Sequence, residues 1–147
     1  LLAAMEAQEV EVRPGDFLLL YTGFDKVLLE REARGDDTWI AGQCCALDGT
    51  DATLLQWIVD SEIVAICSDN VAIEALNLIL TSDPPPIRLP IHDLCLFRQG
   101  IFLGELWYLR DLAEWLLARK RHAFLLTAPP LRLPGSVGAP LTPIATV

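Results

Sequence analysis

Ile63-Val64-Ala65-Ile66-Cys67-Ser68-Asp69-Asn70 is the stretch that decides the fold class. An unbroken apolar run of this length suits a strand buried on both faces, and Ser68-Asp69-Asn70 is where such a strand would turn. Upstream, Phe17-Leu18-Leu19-Leu20-Tyr21-Thr22 has the same character. It follows the turn Arg13-Pro14-Gly15-Asp16 and is stopped by Gly23. Between the two strands, Asp51 can cap a helix reaching about Ser61, with Leu54, Leu55 and Ile58 as its buried stripe.

Working outward, residues 1–12 suit a short helix, and residues 24–50, rich in charge and turn formers, read as a long surface loop. A helix is expected over 71–80, broken by Asp83-Pro84-Pro85-Pro86. A short helix is expected over 92–98, a strand over 101–106, a helix over 109–119 and a strand over 123–127. The tail, 129–147, carries five prolines and two glycines and should be extended and irregular. Strands alternating with helices indicate an α/β domain.

Composition narrows the function classes. With 147 residues, 52% hydrophobic and 21% charged, the chain has enough apolar material for a core. A net charge of -9 argues against nucleic acid and anionic membranes, which call for basic patches. No apolar run approaches the roughly 18–20 residues of a membrane span. The four cysteines, Cys44, Cys45, Cys67 and Cys95, form no C-x-x-C pair and read as reduced thiols of a cytoplasmic protein.

There is no G-x-S-x-G elbow, Walker loop or G-x-G-x-x-G. Of the two histidines, His122 sits among Arg119, Lys120 and Arg121 and reads as a solvated helix end. His92 opens a helix-like stretch 13 residues before Glu105, which ends the apolar run Ile101-Phe102-Leu103-Gly104. A carboxylate there must reach solvent or be paired, because burying it alone is costly. An imidazole and a carboxylate on adjacent elements could bind a metal or move a proton; an incidental pair is the alternative. Asp69, at a strand end, could line a site as strand-end acids of α/β folds do, or simply cap a turn. Trp39, Trp57 and Trp115 suit a core, whereas Trp107, two residues past Glu105, could wall an aromatic pocket.

Taken in order, these segments resemble the cyclase / kynurenine-formamidase family, which includes isatin hydrolases. Arg13-Pro14-Gly15-Asp16 through Thr22-Gly23 is similar to its G-D-x-hydrophobic-x-T-G strand. Residues 63–70 resemble its strand ending in a small residue, Asp and Asn or Thr. Pro90-Ile91-His92 through Glu105-Leu106-Trp107 resembles its histidine-to-acid stretch. The most specific match is Leu126-Thr127-Ala128-Pro129-Pro130-Leu131-Arg132-Leu133-Pro134-Gly135-Ser136-Val137-Gly138-Ala139-Pro140, similar to its C-terminal signature.

The resemblance implies a swivelling β/β/α fold, with residues 1–147 as the C-terminal portion of a single domain that is incomplete at its N-terminus. It implies hydrolysis of a small amide or lactam, such as N-formylkynurenine or isatin, by water activated on zinc or manganese, in a homo-oligomer. His92 and Glu105 take the places of the family's downstream metal ligands or proton-transfer residues. Asp69, Phe102 and Trp107 fall near the substrate pocket. The family's main metal motif, H-x-G-T-H-x-D-x-P, is absent from the chain. Two candidate ligands fall short of the roughly three protein ligands of a catalytic metal site, so this chain alone is expected to bind the ion only weakly and to be inactive or nearly so. The alternative function is a non-catalytic interaction module derived from a cyclase half-domain.

Overall fold

Three short parallel strands carry the architecture, and the computed structural model describes residues 1–35, 45–75 and 89–147. The chain divides into two compact units, Leu1–Arg110 and Asp111–Val147. In the first, α1 (Leu2–Ala7) leads to β1 (Phe17–Leu20), α2 (Phe24–Ala33) and α3 (Ala52–Asp60). Then come β2 (Ala65–Ser68), the single turn α4 (Pro90–His92), a π-helical segment Asp93–Gln99 and β3 (Phe102–Gly104).

The strand order is β1-β2-β3, all parallel. The register aligns Leu18 with Ile66 and Ile66 with Leu103, so these three share a face. That face joins a core with Leu54 and Ile58 of α3, and with Ile91, Cys95 and Ile101. Ile58 and Ile66 are fully buried. Each such side chain stabilises the fold by about 1.5–3 kcal/mol relative to exposure. Asp51 caps α3 as its sequence predicts, accepting from the amides of Thr53 and Leu54. The α/β class read from the alternation of elements is the observed one.

Three expectations for this unit need correction. Residues 24–33 form α2 rather than a loop. Gly23 supplies a left-handed φ of 82° at its N-cap, and Phe24 and Asp25 are buried in its first turn. Residues 71–75 are not helical, because Leu47 and Glu74 form an isolated parallel bridge that draws the segment out. The rest of that expected helix and the proline run lie outside the described residues, as do Trp39 and Cys44. The helix expected over 92–98 starts earlier, at Pro90, whose missing N–H costs nothing there, and is π-helical from Asp93.

In the second unit, α5 (Arg110–Ala118), which begins at the last residue of the first, is followed by β4 (Leu125–Thr127) and β5 (Ile144–Thr146). The two strands pair antiparallel, Leu125 with Thr146 and Thr127 with Ile144. The tail expected to be irregular therefore includes a strand. Arg119 stacks on Trp115 at 4.0 Å from the ring centre. Among the described residues no helix is long and apolar enough to cross a membrane.

Candidate functional site

Because the strands are parallel, their C-terminal ends lie along one edge, where open α/β sheets place ligand sites. Thr22 follows β1, Asp69 follows β2 and Glu105 follows β3. Backbone bonds from Leu106 N to Asn70 O (3.0 Å) and Trp107 N to Ser68 O (3.1 Å) tie the β2 and β3 ends together. Leu106 sits at a φ of 55°, a left-handed conformation unusual for a bulky residue. It turns the chain directly after Glu105.

The structure brings His92 and Glu105 together: Nε2 lies 3.2 Å from Glu105 Oε1. Oε1 also accepts from the Ile73 amide at 3.4 Å. Glu105 is 32% exposed, so its carboxylate is reachable from solvent. On the far side of the ring stands a residue that the sequence reading did not single out. His92 Nδ1 lies 2.7 Å from Oε1 of Glu74, whose side chain is fully buried. The amide of His92 donates to Glu74 Oε1 and that of Ile91 to Oε2, both at 3.0 Å. These are free donors of the first turn of α4, satisfied by a carboxylate from 17 residues upstream. The available signal was a carboxylate flanked by Ala72, Ile73 and Ala75.

Two flanking carboxylates favour the imidazolium. The hydrogen bond to Glu105 raises the His92 pKa most, followed by that to Glu74; burial opposes both, and the result is about 9. At neutral pH both ring nitrogens therefore carry protons.

Asp69 is buried among its own partners. Oδ1 accepts from the Thr22 amide and hydroxyl, both at 2.8 Å, and Oδ2 from the Asp25 amide at 3.4 Å. It thus joins the ends of β1 and β2 to the start of α2. Asp25 in turn accepts from the amides of Leu109 and Arg110. Trp107 is buried over Gly104: a Cβ on Gly104 would lie 2.9 Å from the Trp107 ring and 2.8 Å from Cys67 Sγ. Phe102 stands 72% exposed.

As for an ion, no group of three or more His, Cys, Asp or Glu side chains among the described residues could hold one. Both His92 nitrogens already face carboxylates.

A crystal structure described as that of a novel cyclase matches with a TM-score of 0.78 and 29% identity, over 98% of this chain and 44% of the other. The chain thus spans less than half the length of that solved protein. No curated protein matches it. The Cyclase family model, described as "Putative cyclase", matches residues 1–75, half of the chain. With the shared fold behind that match, this chain belongs to the Cyclase family.

Proposed function

We propose that this chain forms part of the active site of a hydrolase that cleaves a small amide or lactam beside an aromatic ring, of the N-formylkynurenine or isatin type. The observation that carries the reading is the contact between His92 Nε2 and Glu105 Oε1 at the C-terminal edge of the parallel sheet, with Glu105 partly exposed to solvent. The substrate class comes from the family resemblance.

Hydrolysis requires one proton to leave the attacking water and one to reach the departing nitrogen. Glu105 takes the first and returns it, while His92 holds the carboxylate through Nε2 and can lend its own proton. Such positioned proton transfer contributes typically 10²–10⁴-fold. Phe102, exposed at the start of β3, enters as an aromatic contact through the family resemblance alone. Trp107 and Asp69, both buried, would shape the pocket from behind. Zinc or manganese is proposed through the family resemblance alone.

A cytoplasmic location accompanies this reading, supported by the free, buried Cys67 and Cys95. So does homo-oligomeric assembly, for which the exposed Leu96 and Phe97 are the local support. Those same exposed side chains favour the second reading, an interaction module without catalysis.

The test is a protein in which residues 1–147 are joined to a segment carrying H-x-G-T-H-x-D, assayed on N-formylkynurenine and isatin with added zinc or manganese. Metal-dependent hydrolysis of either substrate supports the proposal. A folded, metal-loaded protein that hydrolyses neither favours the interaction module.

A further inference from the structure

Glu74 is a fully buried carboxylate whose oxygens are both engaged by α4 and its histidine. Its surroundings are shaped to admit it. A Cβ on Gly49 would collide with Glu74 Oε2 and lie 3.3 Å from Pro90 Cδ. Glu74 is also anchored through its backbone: Leu47 N donates to Ile73 O at 3.0 Å and Ala75 N to Leu47 O at 2.8 Å. The carboxylate thus sits on a fixed strand-like segment, in a space left by a glycine, against the first turn of the helix that carries His92.

We propose that Glu74 is the positioning residue of the site. By accepting from Nδ1 of His92 and from the backbone amides of Ile91 and His92, it locks the imidazole so that Nε2 alone faces Glu105. A buried carboxylate is costly unless its lone pairs are satisfied, and here three N–H groups satisfy it. All three come from residues 91 and 92, so one side chain fixes both the backbone and the ring of His92. A carboxylate on one ring nitrogen sets which edge of a histidine is presented to the chemistry. Glu74 touches no substrate; it acts through His92. The inference rests on the reading of His92 and Glu105 as the proton-handling pair.

The chain has only two histidines, His92 and His122, so ¹⁵N-histidine labelling with proton–nitrogen NMR resolves His92 directly. In the wild-type chain the Nδ1 proton of His92 should be sharp, far downfield and slow to exchange. Glu105→Gln should leave it in place. Glu74→Gln, in which an amide NH₂ must oppose at least one of the three donors, should move it upfield and speed its exchange. Gly49→Ala, whose methyl displaces Glu74 and also touches Pro90 while leaving the imidazole and Glu105 chemically intact, should do the same. This second variant keeps the test decisive if Glu74→Gln fails to fold.

A readout in the hydrolytic protein separates the two levels. There, Glu74→Gln should lower kcat about 10–100-fold with KM little changed. An unchanged Nδ1 proton in folded Glu74→Gln or Gly49→Ala overturns the inference. A disturbed Nδ1 proton with full activity upholds Glu74 as the holder of His92, and overturns instead the reading of His92 as part of the reaction.

Discussion

Replacing Asp69 by alanine should cost the fold about 3 kcal/mol, a value built from its hydrogen bonds. Asp69 is 1% exposed and accepts from Thr22 N and Oγ1 at 2.8 Å, Ser68 Oγ at 3.3 Å and Asp25 N at 3.4 Å. The two hydroxyls can rotate toward other acceptors; the two amides cannot. An amide left without an acceptor costs about 1–3 kcal/mol when buried, with the longer Asp25 bond at the low end of that range. Asparagine keeps one oxygen for the short Thr22 bonds, so Asp69→Asn should cost only about 1 kcal/mol. Asp60→Ala, which removes one exposed bond from Gln56, should stay within about 0.5 kcal/mol. Urea unfolding followed by tryptophan fluorescence, with equal slopes for all variants, measures these differences. If Asp69→Ala unfolds with the Asp60→Ala control, the carboxylate is not joining the strand ends, and the reason given for the shape of the site fails.

Other consequences follow from single contacts. Gly104→Ala should destabilise by about 1–3 kcal/mol, because its methyl must displace the Trp107 ring and the Cys67 thiol; an unchanged melting temperature would refute that packing. In metal-free buffer the His92 contribution is sign-definite. Its pKa is raised from 6.5 to about 9, so the stability it adds is complete below about pH 6.5 and is lost as the pH rises through 9. At about 1.4 kcal/mol per unit the ceiling is about 3.5 kcal/mol, less for partial solvent screening; stability curves of wild type and His92→Gln that run parallel over that window would contradict it. Burial pushes the thiols of Cys67 and Cys95 to about 12, so near pH 8 both should resist a thiol reagent until the chain unfolds, whereas exposed Cys45 should react at once.

What could be read from the sequence was what depends on neighbours along the chain. The β2 strand and the Asp51 cap were legible because an apolar run and an N-cap aspartate each act locally. The His92–Glu105 pair was legible through the family resemblance, with the cost of burying Glu105 unpaired as its local support. α2 was not, since it is charge-rich, leaves Leu28 and Leu29 exposed, and buries fully only Phe24 and Asp25 in its first turn. Glu74 was hidden for a different reason. Val71, Ala72, Ile73 and Ala75 look helical, and only the bridge to Leu47 and the contact with His92 reveal a buried carboxylate. The π-helical turn after His92 has no counterpart in any local pattern.

Glu105 carries the proposed chemistry. In the protein joining residues 1–147 to the H-x-G-T-H-x-D segment, initial rates of N-formylkynurenine or isatin hydrolysis should be compared for wild type and Glu105→Gln at saturating zinc or manganese. A positioned proton-transfer residue predicts a fall in kcat of about 10²–10⁴-fold in a variant that remains folded at the assay temperature. Equal metal-dependent rates for the two proteins would show that Glu105 does not handle the proton, and the proposed chemistry of the pair would be wrong.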